Sequence, residues 1–390
     1  MPRSLTRVEK YDFGPRVGVA NRVDDRTVVR SGYGLFFDTV PASYFQDAVE
    51  NLPWVREDQQ SLSAFQFGLP PAEAFMGYLL DDPPIGSFTP GRTRSRSGSR
   101  TRTCTTGNLS AQRQLGRTMV AEIAYAGHYA ERLNRRENLN TQEPRSANAA
   151  IPPTVHPQLR RLFPFAVFDG QLIVLDNWFE TTSTAYSFYN ALTARFEKRH
   201  SHGLTFINSF TDGKTMSDAQ PFSGGDNDTG NRIQDIFNKK ADKGLAPNHH
   251  KYRLASSFLY ELPFGQGRRF GGNVNAMLNQ IIGGWQINGI YQFQTGFPIT
   301  ILRSGDPLGV GTNGAVRPDQ ICDPNLPRSE RTIQRFFATE CFVATTDRFG
   351  SAGRSTVIGP NINVLDLAVF KTFDVRKSVR LQVRGEFSTR

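Results

Sequence analysis

The chain has 390 residues, 38% of them hydrophobic, with 30 Phe, 11 Tyr and 35 Gly against only 5 Met, a balance that suits strands and turns better than helices. Its formal charge is +10, but five arginines sit in one run, "GRTRSRSGSRTRTCTTG" from Gly91; without them 41 basic residues face 36 acidic ones, so the charge names no partner. No run of about 18 apolar residues and no secretory leader pattern occurs, which leaves only strands as a way of crossing a bilayer.

Taken in chain order, period-two alternation predicts ten strands. Residues 15 to 23 and 26 to 37 pair about Asp24 and Asp25, and residues 108 to 115 and 118 to 129 pair about Gly116. In "ALTARFEKRHSHGLTFINSFT", Leu192, Ala194 and Phe196 oppose Thr193, Arg195 and Glu197. Beyond the His200 to Gly203 turn, Leu204, Phe206 and Phe210 oppose Thr205, Ser209 and Thr211. Residues 252 to 262 set Leu254, Phe258 and Tyr260 against Arg253, Ser257 and Glu261. A glycine-rich turn leads to 284 to 301, where Trp285, Ile287, Tyr291 and Phe293 oppose Gln286, Asn288, Gln292 and Gln294. Residues 363 to 373 and 378 to 388 close the series, with Leu381, Val383 and Phe387 opposite Arg380, Gln382, Arg384 and Glu386.

The connections alternate. Tight turns and one segment of about twenty residues join the hairpins, while 38–107, 130–186, 213–251 and 302–362 form long loops. Soluble domains rarely carry several irregular loops of that length, whereas outer-membrane barrels combine short periplasmic turns with long extracellular loops. Most predicted strands are near the ~9 to 11 residues needed to cross a bilayer at a tilt. The expected fold is therefore all-β, an antiparallel transmembrane β-barrel present in part.

The motifs carry little chemistry. "GQGRRFGG" from Gly265 lacks the strand, third glycine and helix of a nucleotide site and reads as a solvated turn. "GGDNDTG" from Gly224 spaces Asp226 and Asp228 like a cation loop without its later Glu. His200 with His202 and His249 with His250 sit at a turn and a loop end, and no metal, cofactor or catalytic signature accompanies them. Cys322 and Cys341 share one loop and either form a disulfide or remain two thiols. The functional positions favoured by the alternation are Arg195, Glu197, Arg253, Glu261, Arg380, Arg384 and Glu386, which would line a lumen as ion-pair ladders or solute contacts.

Six stretches in order, "PRVGVANRVDDRTVVRSGYGLFFD", "NLSAQRQLGRTMVAEIAYAGHYAERLNRREN", "YNALTARFEKRHSHGLTFINSFT", "KADKGLAPNHHKYRLASSFLYELPFGQGRRF", "IIGGWQINGIYQFQTGFPIT" and "FGSAGRSTVIGPNINVLDLAVFKTFDV", resemble the C-terminal barrel of Oar-like TonB-dependent outer-membrane receptors. The resemblance implies a barrel of about 22 strands when complete, set in outer-membrane lipid, filled by a plug domain, energised through TonB and moving an unidentified solute without bond chemistry. No plug, TonB box or regulatory domain is recognisable, and the chain reads as a ten-stranded portion ending within "RGEFSTR".

Two other readings stand beside this one. A soluble basic β protein would use the Arg/Ser run on nucleic acid, although the run lacks interleaved aromatics, so no nucleic acid is expected. A surface barrel or adhesin would need no energised uptake. The run itself replaces the aromatic lead-in that such barrels place before "NLSAQRQLG", with sharp edges near Gly91 and Asn108; a local slip of reading frame would produce this, and a genuine disordered loop insertion is the alternative.

Overall fold

The structure is a computed structural model that describes residues 12–38, 92–95, 101–142, 159, 161–163, 165–168, 171–174, 178–219, 233–304, 308, 310, 316–376 and 379–389. Ten long strands carry the architecture: β1 Arg16–Asp24, β2 Thr27–Asp38, β3 Arg102–Leu115, β4 Met119–Asn138, β5 Trp178–Ser201, β6 Leu204–Ser217, β7 Tyr252–Glu261, β8 Trp285–Gln294, β9 Ile362–Arg376 and β10 Val379–Ser388. Each pairs antiparallel with its neighbours in sequence, so spatial order equals chain order from β1 to β10. The result is an open sheet, a meander that forms part of a barrel wall.

Turn chemistry fixes the register at one end. The Asp24 carboxylate accepts from the Arg26 amide at 2.7 Å and the Thr27 hydroxyl at 3.0 Å, closing β1 onto β2. His202 and Gly203, at φ 54° and 77°, supply the consecutive left-handed residues that a two-residue hairpin turn requires. Between β7 and β8 the glycine-rich segment holds a short helix, α1 Ala276–Ile282, capped by the Asn275 side chain accepting from the Leu278 amide at 2.8 Å. No periodic pattern in the sequence marks this helix, because seven residues are too few for a periodic signal.

Several strands outrun their predicted bounds. β3 begins at Arg102 rather than 108, β4 runs to Asn138 rather than 129, β5 starts at Trp178 rather than near 187, and β6 continues to Ser217. Of the Arg/Ser run, residues 102 to 107 take regular positions, with Cys104 between Phe36 and Ala130 and Gly107 between Tyr33 and Gly127. Arg92–Ser95 pairs in parallel with Trp178–Thr181. The other correction is at β8, which stops at Gln294 rather than 301; Pro298–Ile299 instead pairs with Val357–Ile358. With 20 and 24 residues, β4 and β5 are about twice as long as a tilted bilayer crossing needs, so they overhang the wall at the end where the long loops emerge. A break in register near Arg132, at φ 59°, bends the overhang.

The register sorts side chains into two faces that persist across all ten strands. One carries Val17, Val19, Tyr33, Leu109, Ile123, Tyr125, Leu192, Phe210, Leu254, Ile287, Leu367, Val383 and Phe387. The opposite face carries Arg30, Gln112, Glu122, Arg195, Ser209, Ala255, Gln292 and Arg384. Among the described residues no second layer covers the apolar face: Val17 is 65% exposed, Ile123 52% and Phe387 66%. Among the described residues the buried apolar clusters lie instead in the last long loop, around Leu308, Val310 and Val316 with Phe349, and around Leu326, Ala338 and Cys341. A wall whose apolar side faces outward needs an apolar solvent against it.

Candidate functional site

The register puts all seven charged residues singled out from sequence on the polar face, in strands β5, β7 and β10. They stay local rather than converging on one centre. Arg195 bonds Glu197 at 3.2 Å, with Arg199 3.8 Å from the same carboxylate. Glu261 takes Arg268 at 3.2 Å, Arg380 takes Asp374 on the facing strand at 3.1 Å, and Arg384 contacts Glu386 while lying 5.2 Å over the Phe370 ring. Arg253 stands between Thr211 and Gln294 in the ladder. Solvated pairs of this kind contribute about 0–1 kcal/mol each, so they shape the field of the polar face more than its stability.

A denser charge cluster lies where the overhanging strands meet the long loops, and alternation gave no sign of it. Arg135 and Glu137 from β4, Asp218 just after β6, Asp242 from the segment before β7, and Arg317 and Arg354 from the segment before β9 are all buried. Arg135 grips Asp218, whose other carboxylate oxygen accepts from the Tyr186 amide at 2.8 Å. Lys239 spans both oxygens of Glu137 at 2.7 Å. Arg317 donates to Asp242 at 2.6 Å, and its backbone amide donates to the Gln234 side chain at 2.7 Å. Gln234 in turn reaches the Gly350 carbonyl at 3.1 Å, while Arg354 donates to the carbonyls of Ser217 and Ala219.

These bonds tie two loops and the ends of two strands into one body. Removing any single charge would strand its partner in a low-dielectric site. Burial holds the Asp242 carboxyl above its ordinary value, with the Arg317, Arg354 and Arg135 guanidinium groups pulling the other way. Burial likewise pushes the Arg354 guanidinium down. His249, beside the cluster, accepts from the Thr215 amide at 3.2 Å, and burial followed by repulsion from His250, Lys214 and Lys251 lowers its pKa. The Nε atoms of Arg135, Arg317 and Arg354 and Oδ2 of Asp242 are buried without a hydrogen-bond partner, so the cluster is not fully satisfied.

The last long loop is braced further out. A disulfide joins Cys322 and Cys341, Cα to Cα 5.0 Å. Asp319 is clamped by Arg348 at 2.9 Å and by the Ser351 amide at 2.8 Å, which holds its carboxyl down at about 2. Asn325 donates to the Thr356 carbonyl and accepts from the Ile358 amide, stitching the loop to the strand Val357–Ile358.

The remaining sequence candidates are dispersed. The "GQGRRFGG" segment is a turn with Gly265, Gly267 and Gly271 at positive φ. "GGDNDTG" lies outside the described residues. His202 bonds Ser201 at 2.9 Å, and among the described residues no three His, Cys, Asp or Glu side chains are grouped to hold a metal. Arg102, the one arginine of the basic run with a described side chain, pairs with Asp38 at 3.1 Å, and the nucleic-acid reading is not favoured.

Residues 1–388 match the family model described as "Outer membrane beta barrel domain". Among solved structures the chain is similar to the outer membrane transporter YddB from Escherichia coli, at 8% identity and TM-score 0.45 over 94% of this chain and 35% of that one. It is also similar to the siderophore receptor PirA from Acinetobacter baumannii (8%, TM-score 0.40, 95% and 36%) and the ferric enterobactin receptor PfeA from Pseudomonas aeruginosa (9%, TM-score 0.40, 95% and 33%). The chain thus spans about a third of the length of these structures. Among curated proteins none matches the sequence.

Proposed function

The chain belongs to the outer membrane β-barrel domain family and resides in the bacterial outer membrane, and from that premise we propose that it forms part of the wall and surface loops of a TonB-dependent receptor that moves a large solute. The carrying observation is the pairing of a continuous polar, charged face with two long loops joined to each other at one end of the wall. On this reading the apolar face meets lipid, the polar face with Arg195, Glu197, Arg253, Glu261, Arg380, Arg384 and Glu386 lines the lumen or meets a plug domain, and the loop body lies outside the cell.

Large solutes suit this design, since loops of this length exceed what a small-molecule pore needs. The solute passes without covalent chemistry, and the inner-membrane TonB complex supplies the energy. The test is uptake by cells carrying the intact gene, with and without a functional TonB complex, using labelled siderophores, oligosaccharides and peptides as probes. Uptake of one probe class that disappears with TonB supports the reading. Uptake that persists without TonB identifies a passive barrel, and no uptake of any probe class counts against transport.

A further inference from the structure

Helix α1 is inside out for a protein in water. Its polar side chains turn toward the protein and are used there: the Asn279 side chain accepts from the Gln266 amide at 2.7 Å, and Gln280 donates to the Asp374 carbonyl at 3.0 Å. Three of its apolar side chains turn outward, with Met277 81%, Ile281 64% and Leu278 42% exposed, while Ile282 is half-buried. A helix at a water interface buries its apolar stripe instead. Seven residues form no stable helix alone, so these contacts hold it in this orientation.

Its position is set by the apolar face of the wall. Trp285 and Lys371 are cross-strand partners on that face, in line with Ile287 and Val369. The Trp285 indole donates to the Ile281 carbonyl at 2.9 Å. The Lys371 ammonium donates to the Gly283 carbonyl at the helix C-terminus and lies 5.3 Å and 4.9 Å over the Trp285 and Phe373 rings. Both anchors pull the helix to the lipid side of the strand ends, at the end of the wall with short turns.

We infer that α1 is an interfacial anchor, lying in the phospholipid headgroup and upper acyl region around the barrel with Met277, Leu278 and Ile281 inserted. The occupant is lipid because the exposed stripe continues the apolar face that already meets it, and because the indole and the ammonium beside it are the side chains that partition to such a boundary. The nearby Arg269, over the Phe270 ring at 5.5 Å, adds a cation for a phosphate headgroup. The inference rests on the outer-membrane location alone; transport and anchoring can fail independently.

The experiment uses the full chain with Cys104→Ser and the disulfide left intact, carrying either Met277→Cys or, on the polar face, Gln382→Cys, each labelled with an environment-sensitive fluorophore. Folded protein is placed in phosphatidylethanolamine/phosphatidylglycerol vesicles, with and without bromine on the upper acyl carbons. The probe at 277 is expected to emit at shorter wavelength than the probe at 382 and to lose most of its intensity to bromolipid, with little access to aqueous iodide. Equal emission, equal iodide access and no bromolipid quenching would overturn the anchor. So would protection at 277 that occurs in native outer membranes but not in pure lipid, which would identify a protein partner.

Discussion

Arg317 and Asp242, 75 positions apart and each almost fully buried, share a hydrogen-bonded ion pair at 2.6 Å that joins the segment before β9 to the segment before β7. Among the described residues no hydrophobic cluster is shared by the two loops, so their relative position depends on charges that have no water to fall back on. Gly244, next to the pair, approaches the Arg354 carbonyl so closely that no Cβ fits, which draws the third arginine into the same joint. Loops joined in this way move together or come apart together.

Asp242→Asn is therefore expected to leave the Arg317 guanidinium buried and uncompensated, at a cost of about 3–5 kcal/mol to the loop body. The wall should be unaffected, because no ladder bond is lost. Limited proteolysis should cut within 316–361 faster, with heat-modifiable gel migration unchanged. Replacing the pair together, Asp242→Leu with Arg317→Met, should recover most of the protection; equal cleavage of single and double variants would refute a pairwise lock.

Acid should loosen a different part of the same loop. Asp319 is held at about 2 against an ordinary 3.8, chiefly by Arg348 and then by the Ser351 amide. A depressed carboxylate stabilises fully above its unfolded value and loses that contribution as pH falls from about 4 toward 2. Amide exchange around Ser351 should accelerate across that window. Asp319→Asn should exchange faster at neutral pH and show no further step; a step that survives in the variant assigns the acid response elsewhere.

The wall was legible because one rule, alternation with period two, covers Trp285 to Gln294 and Val379 to Ser388 and needs no knowledge of neighbours. Loop ends were not. Residues 102 to 107 hold strand positions only because Asp38 to Tyr33 and Gly127 to Glu131 flank them, a fact about partners that their own Arg/Thr/Cys composition does not carry. The cluster around Asp242 was hidden for a related reason. In "NKKADKGLA" its carboxylate looks like any solvated surface charge, and only the return of Arg317 and Arg354 from more than seventy residues later buries it. The inverted helix was hidden because its polar and apolar residues are ordinary; their orientation, fixed by Trp285 and Lys371, is what distinguishes it.

The disulfide should act locally. Oxidised protein digested without reductant is expected to yield a linked peptide pair containing Cys322 and Cys341, with Cys104 alone open to alkylation. Closing a loop of this size stabilises by about 3 kcal/mol in the chain-entropy account. Cys322→Ser with Cys341→Ser should raise cleavage between those positions while leaving the Arg317 region protected. Collapse of protection across the whole loop body would mean that the disulfide, not the ion pairs, holds it.

The two faces make the sharpest demand. Ile123 is exposed on the apolar face of β4 with Leu109's and Tyr125's side as its surroundings, and Ala124 is its neighbour on the polar face, opposite Ser110 and Thr193. An arginine at 123 would be forced into hydrocarbon, costing about 2–4 kcal/mol near the midplane, whereas one at 124 would project into water. Ile123→Arg should lower the folded, heat-modifiable fraction recovered in outer membranes by at least tenfold, since about 1.4 kcal/mol corresponds to a factor of ten. Ala124→Arg should match the parent protein. Equal recovery of both variants would mean that the apolar face does not meet lipid, and a larger loss at 124 would reverse the assignment of the faces.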